Sequence, residues 1–528
     1  MTPPHPPAQA GFPQRAGPGV LQTWSAQASQ RLRQWREKRP GSASIAPEDG
    51  ASTAAPQRAY LHGAAWAALA GGAAILLPLV VFVLFARALG PAEIGRFALA
   101  VSLAEVLKAC GLPGFYEAVL HRRARPARNQ ASALTVFLLL GVSLLPLYAG
   151  GVLALVQGAD ALPPGETLML LLIGLRIPLD LALLQPQAEL ARRAAFSRLA
   201  MRGLAGNTAA AALGLGLLAA GQPMLGLGAY TLGISVGNAL ATVLGTRALR
   251  WPGWSQPCIA ALWPEAVAAS AVRGCATANN QLDQLLVGAI AGPVIFAQFN
   301  LAKRIESAFA SLSSSLTSSL FQPDFARRAS PAGRTAGLGH ALSIVTATSG
   351  AVAAGFMICA DLFVPLMLGP AWAAVAPAAA VLALSGYGRG LASVHGALLS
   401  VSGRNGLLLR RCVLMLLAGS LLVAMVAGQG ALAAAGAVAA QTLFGLVLLA
   451  LATRADAGGR TVPLYLFRVV LPFAGMLAAA LAGRWLVLGL ATPPGPAQAL
   501  AAMALAGAAA ALVGLAAAAL PPLLARAR

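Results

Sequence analysis

From residue 64 to residue 522 the chain reads as long apolar runs separated by short polar breaks, about fourteen times over. The runs fall at 64–86, 97–120, 131–157, 167–190, 199–220, 224–246, 266–290, 295–320, 341–368, 376–401, 412–428, 430–453, 469–490 and 497–522. A helix that crosses a bilayer needs about 20 mostly apolar residues, and the breaks between runs are too short to hold a folded soluble domain. The pattern predicts an all-α integral membrane protein with about 14 transmembrane helices. A mean hydropathy of +0.73 and a charged fraction of 10% agree with it.

The formal charge of +21 changes the picture only through its placement. Arg122, Arg123, Arg125 and Arg128, then Arg192, Arg193, Arg198 and Arg202, then Arg327, Arg328, Arg334, Arg404, Arg410 and Arg411 all fall in breaks on the side of the N-terminus. Of the 37 Lys and Arg residues, only Arg87 and Arg96 fall in breaks on the opposite side, where Asp160 and Glu166 also lie. An excess of basic residues on one face is the positive-inside signature, with both termini cytoplasmic. The basic excess is thus topology, which argues against a nucleic-acid partner. Cys110, Cys258, Cys275, Cys359 and Cys412 are scattered and read as small apolar fillers. The five His residues are equally dispersed, so neither a metal site nor a catalytic triad is expected, and no cofactor.

Residues 1–60 lack the apolar core of a secretory signal and are rich in Pro, which predicts a disordered basic tail. Within it, QRLRQWREKR (30–39) has the composition of a segment resting on an anionic leaflet.

The chain nearly repeats itself. ARALGPAEIGRFALAVSL (86–103) aligns without a gap to GAIAGPVIFAQFNLAKRI (288–305), so that Gly90, Pro91, Phe97, Leu99 and Ala100 match Gly292, Pro293, Phe299, Leu301 and Ala302. Each copy falls at the external turn between the first and second helix of a six-helix block. Two blocks that both start on the cytoplasmic side are parallel repeats, an architecture that places a substrate site between two lobes.

Several segments resemble the polysaccharide-biosynthesis flippases of the multidrug/oligosaccharidyl-lipid/polysaccharide exporter superfamily. They are Arg87-Ala-Leu-Gly90-Pro91 with Glu93, Gly95 and Phe97; Asp283-Gln-Leu-Leu-Val-Gly288 with the Phe299-to-Arg304 run; Phe321-Gln-Pro323-Asp324-Phe325; Leu368-Gly369-Pro370-Ala-Trp372; and Gly396 to Arg404. The family more often has Tyr at Phe299. The resemblance implies two parallel six-helix lobes around a central cavity, here 61–265 and 266–454, with 455–528 as an added C-terminal helix pair. It also implies an undecaprenyl-diphosphate-linked oligosaccharide moved from the inner to the outer leaflet, for lipopolysaccharide or exopolysaccharide biosynthesis, beside a polysaccharide polymerase or export machinery.

Ionisable residues deep in a span cost at least ~2.5–3.5 kcal/mol each and by default mark a pathway or a pair. In the seventh run Arg273, Thr277, Asn280 and Gln284 recur along one helical face, flanked by Asn279 and Asp283. In the eighth, Asn300, Lys303, Arg304, Ser307, Ser311, Ser314 and Ser318 form a second stripe; the tenth adds Ser385, Arg389, Ser393 and Ser400. Arg273, Asn280, Asp283, Lys303, Arg304 and Arg389 are the candidate cavity residues, because a guanidinium can fork onto phosphate. The competing reading is neutralisation within the protein: Lys303 by Glu306, and Arg304 or Arg273 by Asp283. Arg389 has no acidic neighbour on its own helix. In the first block Glu105, Arg176 and Asp180 are candidates for gating or for binding a coupling H+ or Na+, against simple pairs Arg176–Asp180 and Glu105–Lys108. Asp361 and Arg484 are expected to snorkel, and Glu117 and Glu189 to be solvated.

The alternative function on the same fold is a cation-coupled small-molecule or multidrug exporter, whose cavity should be acidic and aromatic; aromatics are only 6% here. An enzyme would need an external chamber that the short loops do not provide. The usage of 34 Arg against 3 Lys suggests a GC-rich bacterium and hence an inner membrane. Which glycan is carried is not written in the sequence.

Overall fold

The computed structural model describes residues 77–121, 126–157, 163–192, 196–245, 251–328, 330–454, 461–489 and 495–526. The expected tail, the start of the first run, and Arg122, Arg123, Arg125, Asp160, Arg193, Arg247, Arg250 and Arg460 lie outside them. Every element among the described residues is helical. Ten helical stretches are long and apolar enough to cross a membrane, with Leu77–Ala88 as a shorter apolar helix.

Ten is fewer than the fourteen runs: the first run is the shorter helix Leu77–Ala88, and 199–220, helical over Phe196–Ala219, is not among the ten. The runs 266–290 and 295–320 form one stretch, Gln256–Leu316, broken only by a kink at Gly292 (φ 81°, ψ 174°). That backbone conformation favours glycine, and Pro293 starts the second arm. The run 97–120 is divided: the helix Pro91–Cys110 ends at Gly111, Leu112 takes a positive φ, and a short helix Phe115–His121 follows. Pro91–Cys110 also carries Glu93, Arg96, Glu105 and Lys108, which lower its apolar character. The two repeated turns differ in geometry. Gly90 is extended (φ −75°) and its N–H donates to Glu93 Oε2 at 2.8 Å, closing a helix start.

Gln256–Leu316 is the hub of the bundle, packing against Pro91–Cys110, Ala376–Val401 and Asn405–Val426. Leu471–Leu488 and Pro496–Arg526 pack on each other and on Ala351–Leu368. Asp361 and Arg484, expected to snorkel separately, instead form a two-pronged pair at 2.7 Å for each oxygen that ties this outer pair to the core. Many large apolar side chains face outward, among them Leu417, Met425 and Leu486. A belt of this kind is what a lipid-facing surface requires and a water-facing one would not tolerate.

At one end of the bundle, the segments before and after residue 265 are clasped together. Trp372, fully buried, donates its Nε1–H to the Ala86 carbonyl at 2.9 Å. Arg87 donates to the carbonyls of Met367 (2.7 Å) and Leu366 (2.8 Å). A methyl group on Gly95 would overlap the Pro293 carbonyl, so the repeated turns meet through a glycine. At the other end, Gly114 N–H donates to Ser270 Oγ at 2.9 Å and Arg273 pairs with Glu117 at 2.6 Å.

Candidate functional site: three cavities along one kinked helix

Between these two closures lies a cavity of about 310 Å³. Leu77–Ala88 contributes Leu79 and Phe82, Pro91–Cys110 contributes Ser102 and Glu105, and the two arms of the kinked helix contribute Gln281, Gln284, Asn300, Lys303, Arg304, Ser307 and Ser311. The polar stripe expected from Asn300 to Ser311 thus faces a common cavity. Ser314 and Ser318 do not line it; each is exposed and donates to a backbone carbonyl three residues back.

Arg304 dominates this cavity. Its guanidinium lies 4.3 Å from the centre of the Phe82 ring, and its Nε donates to Asn300 Oδ1 at 3.2 Å. Asn300 Nδ2 in turn donates to Gln284 Oε1 at 2.5 Å, and Gln284 Nε2 to Gln281 Oε1 at 2.8 Å. A chain of amides and one aromatic face therefore fix the guanidinium by its edge and its plane. The expected alternative, a pair with Asp283, is not what forms. Among the described residues no carboxylate neutralises Arg304.

Asp283 belongs to Lys303. The ammonium is buried between Asp283 Oδ2 (2.6 Å) and Glu306 Oε2 (2.8 Å), so for Lys303 the neutralised reading is correct and in fact doubled. Glu306 Oε1 also accepts from Ser385 Oγ at 2.6 Å and faces Arg389 Nη1 at 3.5 Å. Arg389 therefore has an acidic neighbour after all, supplied by another helix. Its Nη2 donates to Asn280 Oδ1 at 2.6 Å.

Arg389 and Asn280 do not reach the first cavity. They line a second, of about 330 Å³, enclosed by the kinked helix, Ala376–Val401, Asn405–Val426 and Ala431–Ala452, with Ser393, Arg411, Cys412 and Gln441 in its wall. Lys303 and Glu306 form the partition, since Lys303 lines both cavities. A third cavity, about 390 Å³, takes Arg273 and Thr277 together with Glu105, Lys108 and Asp180. The stripe Arg273–Gln284 is thus a ridge between three cavities rather than the wall of one. Arg273 pairs with Glu117 and lies over the Tyr116 ring at 5.1 Å, so neither the solvated Glu117 nor the Arg273–Asp283 pair is what the structure holds.

The candidates Glu105, Arg176 and Asp180 form one network with Lys108, not two separate pairs. Lys108 Nζ bonds Glu105 (2.8 Å) and Asp180 (2.7 Å). Arg176 reaches Glu105 (3.4 Å), Asp180 (3.7 Å) and Ser235 Oγ (3.2 Å). Two cations and two anions balance, joining the Pro91–Cys110 and Arg176–Arg192 helices. Glu189, expected to be solvated, is 2% exposed and held by Gln130 and by Arg192 at 2.6 Å.

Sequence reasoning missed four residues. Phe82 carries no polar signal. Arg411 reads as one more topology-setting arginine at a span edge. Cys275 and Cys412, 137 positions apart, bring their sulfurs to 3.0 Å, so the cysteines are not all isolated fillers.

A family model described as "Polysaccharide biosynthesis protein" matches residues 84–377, more than half of the chain. No curated protein matches. Among solved structures, the lipid II flippase MurJ in an inward closed conformation superposes with a TM-score of 0.66 at 13% identity, covering 85% of this chain and 97% of that one. An inward-facing MATE-family multidrug resistance transporter of the MOP superfamily gives 0.56 at 14% identity, covering 72% and 95%. At these identities the likeness is one of fold.

Proposed function

The chain belongs to the polysaccharide-biosynthesis protein family and is a membrane flippase or transporter, and from that premise we propose that its cargo is an undecaprenyl-diphosphate-linked oligosaccharide. In this reading the glycan passes from the inner to the outer leaflet of a bacterial inner membrane, for lipopolysaccharide or exopolysaccharide synthesis. Arg304 is the observation that carries it. A guanidinium that is oriented by Asn300 and Phe82 and has no carboxylate partner among the described residues is a receptor for an anion.

The surrounding chemistry supports a diphosphate with sugars attached. Gln281, Gln284, Ser307 and Ser311 offer adaptable hydrogen bonds to hydroxyl groups. Glu105, the one carboxylate lining the cavity among the described residues, is already held by Lys108 and Arg176, which disfavours a cationic drug as cargo. No bond is made or broken in this task, and none of the clustered groups is arranged as a nucleophile with its base. Lobes 61–265 and 266–454 would alternate between the Trp372–Ala86 closure and the Arg273–Glu117 closure, with both termini cytoplasmic. An inside-negative potential favours outward movement of an anionic head by about 2.3 kcal/mol per charge per 100 mV, so uniport is energetically sufficient.

The direct test is transport of defined lipid-linked oligosaccharides by the full chain in proteoliposomes, read by accessibility of the glycan to an added enzyme. Flipping of a diphosphate-linked glycan, lost in Arg304→Ala, is the expected result. Export of an organic cation with no movement of the glycan would overturn the proposal.

A further inference from the structure

The second cavity has a charge imbalance that the cargo cavity does not use. Lys303, Arg389 and Arg411 line it, and among the described residues Glu306 is the one carboxylate in its wall. Asp283 lies behind Lys303 and, with Glu306, already neutralises it. Arg389 therefore shares Glu306 with Lys303, at the longer distance of 3.5 Å. Arg411 meets no carboxylate among the described residues. Its Nε donates to the Gly445 carbonyl at 3.1 Å, which leaves the two terminal nitrogens unclaimed by any described acceptor. Uncompensated charge inside a membrane bundle is costly unless a counter-ion or water meets it.

The geometry is that of a receptor. Asn280 spends its Oδ1 on Arg389, and its Nδ2 amide, a donor, meets no acceptor among the described residues. Arg389 still has 31% of its side chain accessible. Gly445 makes room for the second guanidinium: a methyl there would stand 2.6 Å from Arg411 Nη2. The two forked cations and Asn280 line a space of about 330 Å³.

We propose that this cavity, separate from the central one, binds a phosphate-class oxyanion, mono- or diphosphate, through Arg389, Arg411 and Asn280. Occupancy draws Arg389 away from Glu306 and leaves that carboxylate wholly to Lys303, whose ammonium also borders the central cavity. The site thereby communicates with the cargo cavity through one shared lysine. The proposal does not depend on the identity of the cargo, because it is tested by binding and not by transport.

The experiment titrates the full chain in nanodiscs with inorganic phosphate and with inorganic diphosphate, chloride being varied to hold ionic strength constant. Thermal unfolding and calorimetry are the readouts. Saturable stabilisation is expected, weakened about tenfold or more in Arg411→Gln and similarly in Gly445→Ala, which displaces the guanidinium without removing its charge. With the central cavity silenced by Arg304→Gln, the Arg411-dependent component of the stabilisation should persist. Should Arg411→Gln fail to fold, Gly445→Ala and Arg411→Lys carry the test, the lysine lowering affinity by loss of the fork. A competing arm uses farnesyl diphosphate: displacement of inorganic diphosphate in an Arg411-dependent way assigns the oxyanion to a lipid headgroup, and no displacement assigns it to the free anion. A response that follows ionic strength alone, or one lost in Arg304→Gln and kept in Arg411→Gln, overturns the site.

Discussion

The indole of Trp372 donates to the carbonyl of Ala86 at 2.9 Å, joining two sequence motifs that lie 286 positions apart. The carbonyl needs an outside partner because it stands in the last turn of a helix, where no intrahelical N–H remains. Arg87, one residue on, makes the reciprocal reach to Leu366 and Met367. The clasp holds one end of the bundle shut by backbone acceptors rather than by ion pairs, so it opens without exposing a buried charge.

The closure at that end also depends on the absence of a side chain. Gly95→Ala places a methyl against the Pro293 carbonyl, and overpacking of this kind costs about 1–3 kcal/mol. A lower thermal midpoint is expected for Gly95→Ala but not for Gly150→Ala, where nothing lies within 4 Å. Equal midpoints would show that the two turns do not pack as described.

Arg304→Gln should abolish glycan export while membrane abundance stays near wild type, because no described ion pair is broken. Arg304→Lys should keep part of the activity, retaining charge without the fork. Immunoblotting beside an export assay separates the two effects; degradation of Arg304→Gln would make the residue structural.

The buried triad behaves in the opposite way. Asp283→Asn or Glu306→Gln removes one of the two carboxylates that hold Lys303, and breaking a buried pair typically costs about 3–5 kcal/mol. Reduced abundance is expected for each single variant. For the network around Lys108, Asp180→Asn should lower abundance and the charge-balanced Lys108→Gln/Asp180→Asn should restore part of it. A double variant worse than the single would contradict the electrostatic account.

Labelling tests the cavity faces and the orientation together. Cys at Thr277 or Ser311 should react with a small hydrophilic thiol reagent, whereas Cys at Leu286 or Leu316, packed against the apolar core, should not. Cys at Gly221 or Pro370 should react from outside the cell, and Cys at Ala127 or Pro331 only after permeabilisation. The reverse sidedness would refute the cytoplasmic placement of the termini.

Copper phenanthroline should cross-link Cys275 to Cys412, whose sulfurs stand 3.0 Å apart. The bond would staple the first arm of the kinked helix to Asn405–Val426. Mass spectrometry after alkylation detects it, and retention of both free thiols under oxidation would show that the helices are not so juxtaposed.

The helices, the membrane and the family are legible in sequence because each follows from local order: apolar run length, the one-sided placement of arginine, and turn motifs with their own glycine and proline. The stripe Asn300–Ser311 is equally local, since residues three and four apart must share a helical face, and it does line a cavity. What the sequence alone does not determine is which cation meets which anion. The partners of Lys303, Arg389, Arg273 and Arg304 come from helices whose neighbours are chosen by packing, and Coulombic attraction depends on distance in space and not along the chain. Periodicity placed Arg273, Asn280 and Gln284 on one face correctly. Only the tertiary structure shows that face to be a ridge between three cavities, because a ridge and a wall have the same period and differ only in what packs on either side.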